Sequence, residues 1–172
     1  MKLAIKKHNG FTFVELVIYI GLLSIVVGGA ILFAWDIIYA HAKSQTQWEV
    51  NQNLRLAAKR ILFEIRNASN INSINTTSIS LANSDLSRNP TVISFNTSRI
   101  SIDYGPTSPA CPAASPCPLT SNQITVSNLS FTDLSFGNSK NIFFTITISA
   151  TGTRKEYQLS QTYEGTAELR SF

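Results

Sequence analysis

The sequence predicts an α+β fold in which one long amino-terminal helix packs on a carboxy-terminal antiparallel β-sheet domain, and three observations carry that prediction. A charge-free run from Leu16 to Trp35 leads into an amphipathic stretch that reaches Arg66, with no proline and no glycine beyond Gly28 and Gly29 after Leu22. Past Ala68, Ser, Thr and Asn make up more than a third of the residues, interleaved with Ile, Leu, Val and Phe, as in sheets with one solvated face. Helix and strands do not alternate along the chain, which favours a helix on an antiparallel sheet over a parallel α/β arrangement.

Residues 1–10, MKLAIKKHNG, form a short basic leader. The chain of 172 residues has 14 basic and 10 acidic side chains, and Lys2, Lys6 and Lys7 supply three of the basic ones. The net charge of +4 therefore sits largely in the leader, and the remainder is close to neutral. That balance does not advertise a polyanion as partner. The leader reads instead as a topology signal that holds the amino terminus in the cytoplasm.

Residues 11–35 read as a membrane helix. Leu16 to Trp35 is free of charge, and at about 1.5 Å per residue a helix of that length covers roughly the 30 Å hydrocarbon core. Glu15 is the exception at its edge, since an acid in lipid costs on the order of 2.5 to 3.5 kcal/mol unless it is paired. Ala40-His41-Ala42 is a passable small-x-small site for ordinary secretory cleavage. The length of the apolar run and the helical pattern beyond it weigh against that reading, although Gly28-Gly29 weakens the helix by roughly 1 kcal/mol per glycine.

Residues 36–66 continue as an amphipathic helix. Val50, Leu54, Ala57 or Ala58, Ile61 and Ile65 recur at steps of three and four, which defines one apolar face. Lys43, Gln47, Arg55, Lys59, Arg60 and Arg66 occupy much of the rest, with Glu49 and Glu64 among them. Arg55, Lys59 and Arg66 form either a basic stripe for DNA or anionic lipid or an ordinary solvated face, and the second is the favoured reading. Asn67 to Asn70 marks the stop.

Residues 67–172 read as a β-rich ectodomain. Candidate strands are Ser78 to Leu81, Thr91 to Phe95, Ile100 to Tyr104, Gln123 to Phe131, Asn141 to Ser149 and Lys155 to Tyr163. Phe144, Ile146 and Ile148 share a face opposite Thr145 and Thr147. Turn signals fall at Phe136 to Ser139 and Thr151 to Arg154. The stretch 105–118 holds five of the six prolines and both cysteines, a density that excludes an interior strand and predicts a surface loop. Cys111 and Cys117 can close a small ring; outside the cytoplasm a disulfide is the expected state, with reduced thiols the alternative.

Little in the chain carries catalytic chemistry. The only histidines are His8 and His41, so Cys111 and Cys117 lack the further ligands a metal site needs. There is no Gly-rich phosphate loop and no G-x-S-x-G nucleophile motif. Asp85, Asp103, Asp133, Glu156, Glu164 and Glu168 are scattered. The expectation is a non-enzyme without cofactor or metal.

The stretch Gly10-Phe11-Thr12-Phe13-Val14-Glu15-Leu16-Val17, after a basic leader and before an apolar helix, closely resembles the amino-terminal signature of type IV pilins and the pseudopilins of type II secretion. The resemblance covers about the first 35 residues, and the amphipathic continuation suits it. It implies a pilin-like fold, cleavage between Gly10 and Phe11 by a prepilin peptidase, methylation of the new Phe11 amine, and assembly through Glu15. The implied partners are that peptidase, other pilin or pseudopilin subunits, an inner-membrane assembly platform and the lipid bilayer; nucleic acid is not indicated. The implied location is the cytoplasmic membrane, single-pass with the ectodomain outside, and then a filament. Many major pilins carry a proline in the apolar helix and a disulfide loop near the carboxy terminus. Here that helix has no proline and the cysteines lie mid-chain, and the carboxy-terminal half is similar to minor subunits of the J or W type. The other class of function that fits is a single-pass anchored module binding DNA or a glycan.

Overall fold

The computed structural model describes residues 10–105, 116–151 and 158–170. The chain forms two compact units, Met1–His41 and Ala42–Phe172. Helix α1 (Phe13–Asn67) is unbroken through Gly28 and Gly29, because the flanking ladder of i to i−4 bonds outweighs the small propensity loss. After it come β1 (Asn70–Asn75), β2 (Ser78–Ala82), a 3-10 turn η1 (Leu86–Arg88), β3 (Thr91–Asn96), β4 (Arg99–Tyr104) and β5 (Cys117–Pro118). Strands β6 (Ile124–Asp133), β7 (Asn141–Ala150) and β8 (Ser160–Glu168) complete the order.

Among the described residues, the expected antiparallel β-sheet domain is built of two antiparallel sheets. β1 to β5 form one in sequence order, and β6 to β8 form the other. Val50, Leu54, Ala57, Ala58, Ile61 and Ile65 are all buried on one side of α1, and they join Ile79, Ile93 and Ile102 of the first sheet and Val126, Phe144 and Ile146 of the second in one apolar cluster. The sheets also meet at hairpin tips: the Val126 N–H donates to the Ser98 carbonyl at 2.9 Å and the Phe131 N–H to the Thr76 carbonyl at 2.9 Å. At the carboxy end, the Arg170 N–H donates to the Arg66 carbonyl at 3.3 Å, satisfying one of the last carbonyls of α1.

Local chemistry explains where strands start, bend and stop. In β6, Ile124 and Val126 alternate as expected, but Leu129 and Phe131 fall out of phase with them. A bulge between Val126 and Asn128 absorbs the extra residue, so all four side chains face inward. Gly137, with φ of +59°, supplies the turn between β6 and β7. The predicted strand Lys155 to Tyr163 is displaced toward the carboxy terminus: β8 begins at Ser160, opposite Ser149, and Gly152 to Tyr157 lie outside the described residues. The register is set by Ala167, which is buried opposite Ile142, and by Gly165, which faces Phe144.

Gly165 is fixed by its aromatic neighbours. A Cβ there would lie 2.9 Å from Tyr163 Cε1 and 3.0 Å from Phe144 Cζ, because the two rings close over it with centroids 5.9 Å apart. Gly165→Val is expected to lower stability by about 1–3 kcal/mol through overpacking, read as a shifted urea midpoint with unchanged slope.

Two strands lie where none was expected. β1 follows the helix stop directly, and its sequence NINSIN leaves only Ile71 and Ile74 partly buried. A bulge between Ile71 and Ser73 hides the period of two. β5 is two residues in the Pro-rich loop, pairing Cys117 with Ile102 and Pro118 with Ser101 at the end of the sheet, an edge position that tolerates proline.

Candidate functional site

Gly10, Phe11 and Thr12 precede the first helical residue, Phe13. Thr12 caps the helix: its Oγ1 accepts from the Glu15 N–H at 3.3 Å, and its carbonyl accepts from the Leu16 N–H at 3.2 Å. Thr-x-x-Glu is the spacing of a capping box, with residue types that satisfy the free N–H groups of a first turn. A carboxylate in that turn also faces the positive end of the helix dipole.

Glu15 has an in-chain partner that the sequence reading missed. The Tyr19 hydroxyl donates to Glu15 Oε1 at 3.4 Å, a long hydrogen bond, and the Phe11 ring meets Tyr19 edge-on at 5.9 Å. Tyr19 thus bridges Phe11 and Glu15, and the step of four from the acid was the available signal.

The helix beyond is long and apolar enough to cross a membrane, and none of the most apolar stretch is buried in the protein. The one serine hydroxyl of the run Leu16 to Trp35, on Ser24, donates to the Ile20 carbonyl at 2.8 Å, so that group is satisfied without water. Where the run ends, Trp35 and Tyr39 stack at 6.2 Å; these residue types concentrate at lipid–water boundaries.

A second cluster lies in the β-rich domain. Glu64, grouped by the sequence reading with the solvated face, is only 1% exposed. Its Oε1 takes Arg60 Nε at 3.0 Å, Arg88 Nη2 at 3.2 Å and the Tyr104 hydroxyl at 2.8 Å. Arg60 also donates to that hydroxyl. The Arg60 guanidinium lies 5.5 Å from the Phe63 centroid and that of Arg88 lies 5.0 Å from the Tyr104 centroid, within cation–π range. Glu64 Oε2 is buried without a hydrogen-bond partner among the described residues. The cluster contains no nucleophile or histidine and does mechanical work: one carboxylate oxygen ties α1 to η1 and β4.

Burial pushes the Tyr104 hydroxyl above its usual range; the Arg60 hydrogen bond opposes the rise and Glu64 adds to it. The folded chain therefore holds the phenolic proton more tightly than the unfolded chain. Tyr104's contribution is full below about pH 10 and is lost as pH rises through and beyond that value. Tyr104→Phe is expected to flatten the alkaline limb of stability against pH, measured by urea unfolding at about pH 8 and about pH 11.

The remaining sequence candidates separate. Cys117 is disulfide-bonded, and Cys111 lies outside the described residues. Arg55, Lys59 and Arg66 are exposed, and none has an ion-pair partner among the described residues. No group of three or more His, Cys, Asp or Glu able to hold a metal ion occurs among the described residues.

A long helix with an apolar amino-terminal half, followed by antiparallel sheets, is the pilin-like α+β arrangement. Residues 5–31 match the family model of the prokaryotic N-terminal methylation motif. That motif supports a structural function of the pilin or pseudopilin type and fits a membrane-anchored protein. No curated protein and no solved structure matches the chain.

Proposed function

We propose that the chain is a minor pilin or pseudopilin, a structural subunit that initiates or enters a type IV pilus or a type II secretion pseudopilus. The observation that carries this reading is the methylation motif over residues 5–31, within which Thr12 caps the start of an apolar helix that carries Glu15 in its first turn. In this scheme a prepilin peptidase removes residues 1–10 by cutting between Gly10 and Phe11, and the Phe11 amine is methylated. The helix rests in the cytoplasmic membrane with the ectodomain outside, and an assembly platform then draws it into a filament. Trp35 and Tyr39 suit the outer boundary of the bilayer. Cys111 and Cys117 are each other's disulfide partners in this scheme, closing the Pro-rich loop. The J or W type is the subtype that the carboxy-terminal half supports.

The amino terminus of the mature protein decides the matter. A start at Phe11, with or without an N-methyl group, is the expected result. A start near Lys43 would mean ordinary secretory cleavage and would remove the proposal.

A further inference from the structure

We infer that the carboxy-terminal end of α1 carries a binding site for a phosphomonoester group, formed by Lys59, Arg66 and Arg170. These three cations, with Leu62, Phe63 and Asn67, line a pocket of about 420 Å³. Steps of three and four place Lys59, Leu62, Phe63 and Arg66 on one side of the helix. Arg170 comes from beyond β8 and is held there by its backbone: its N–H donates to the Arg66 carbonyl at 3.3 Å, and Leu169 beside it is buried in the core. Among the described residues the pocket wall therefore holds three cations, one neutral amide and two apolar side chains, and no acid. The sequence shows two of the cations on a helix face; only the fold adds the third.

The neighbouring charges leave this pocket positive. None of the three cations has an ion-pair partner among the described residues. The one acid between Lys59 and Arg66, Glu64, is buried and already holds both Arg60 and Arg88. The helix end supplies only about half a negative charge, which accounts for one cation of the three. Like charges gathered without a counter-charge repel, and an entering anion reverses that cost. Arginine forks present paired N–H donors to a tetrahedral oxyanion, and lysine adds a compact charge. A monoester, at about −1.5 to −2 near pH 7, matches three cations better than a diester of single charge. A nucleic-acid strand spreads its diesters along a path, whereas these cations line one pocket. Leu62 and Phe63 offer an apolar wall to the organic part of the ester. The site lies wholly within the unit Ala42–Phe172, so the inference is independent of how the amino terminus is processed.

The test titrates the full chain, solubilised in a non-ionic detergent, into phenyl phosphate at low salt and about pH 8, and follows the phosphorus resonance. Saturable binding with a midpoint on the order of 1 mM is expected. Arg66→Gln and Arg170→Gln should each weaken it about tenfold, the usual effect of losing one charge-assisted donor, and Lys59→Gln somewhat less. Lys43→Gln, an exposed cation elsewhere on α1, should leave it unchanged. All four positions are exposed, and an unchanged urea midpoint shows that each variant folds. The diester methyl phenyl phosphate should bind at least about fivefold more weakly than phenyl phosphate. Two arms identify the source of the ester: dihexanoyl phosphatidic acid binding about tenfold tighter than phenyl phosphate points to a lipid headgroup, and equal or weaker binding points to a free phosphate ester. Binding that survives both Arg66→Gln and Arg170→Gln belongs to other cations and overturns the inference. So does the absence of saturation, a diester that binds as well as the monoester, or a single-stranded oligonucleotide without terminal phosphates that binds more tightly per phosphate.

Discussion

Glu64→Ala is expected to lower the unfolding free energy by about 3–5 kcal/mol, the usual cost of deleting one partner from a buried ion-pair network. The loss exceeds that of the contacts themselves, because Arg60 and Arg88 both point at the vacated carboxylate and Tyr104 loses its acceptor. Glu64→Gln keeps a hydrogen-bond acceptor for Tyr104 but removes the counter-charge, so an intermediate loss is expected. Replacing Arg60, Glu64 and Arg88 together by Met, Leu and Met should recover most of the stability, since two apolar surfaces then meet where two cations and an anion did. Urea denaturation of the detergent-solubilised chain, followed by circular dichroism, measures all three. A Glu64→Ala chain within about 0.5 kcal/mol of the parent would show that water reaches the cluster freely.

Glu15→Val should leave membrane insertion intact and abolish most filament incorporation. Insertion is helped, because the substitution removes an acid that costs about 2.5–3.5 kcal/mol in lipid. Assembly is harmed for the same reason. Under the proposed function, a carboxylate in a bundle of apolar helices is tolerable only where a cation meets it, and cleavage between Gly10 and Phe11 would create such a cation at Phe11. Such a pair would fix register at a cost in stability, as buried polar groups do in coiled coils. Tyr19→Phe removes only a 3.4 Å hydrogen bond to the same carboxylate and should have a much smaller effect. Comparing the subunit in sheared filaments with that left in membranes reads both variants; incorporation of Glu15→Val at the parent level would deny the acid any role in register.

Features with a strong period were legible in the sequence, and those in which local chemistry breaks the period were not. The buried side of α1 follows from steps of three and four, and β7 alternates along its length. β6 could be found but its phase could not, because the bulge at Val126 to Asn128 makes Leu129 and Phe131 look misplaced. β1 resembles a helix stop because Asn serves both purposes. Glu64 was unreadable as a buried residue: its partners Arg88 and Tyr104 come from distant turns and strands, and an acid on a helix is usually solvated. At the candidate site, Gly10, Phe11 and Glu15 stood out by motif, whereas Tyr19 was masked by the apolar run around it.

Among the described residues both sheets are open, which gives the β-rich domain four strand edges, β1, β5, β6 and β8. Each edge is blunted by different means. β1 carries a bulge, β5 is two residues long and ends in Pro118, which has no N–H to offer, and β6 is met by the Thr76 and Ser98 carbonyls. β8 carries Glu164 and Glu168, and charge deters strand addition. Strand addition is thus disfavoured at each of these edges, and in the proposed filament ordered assembly would be left to the helix.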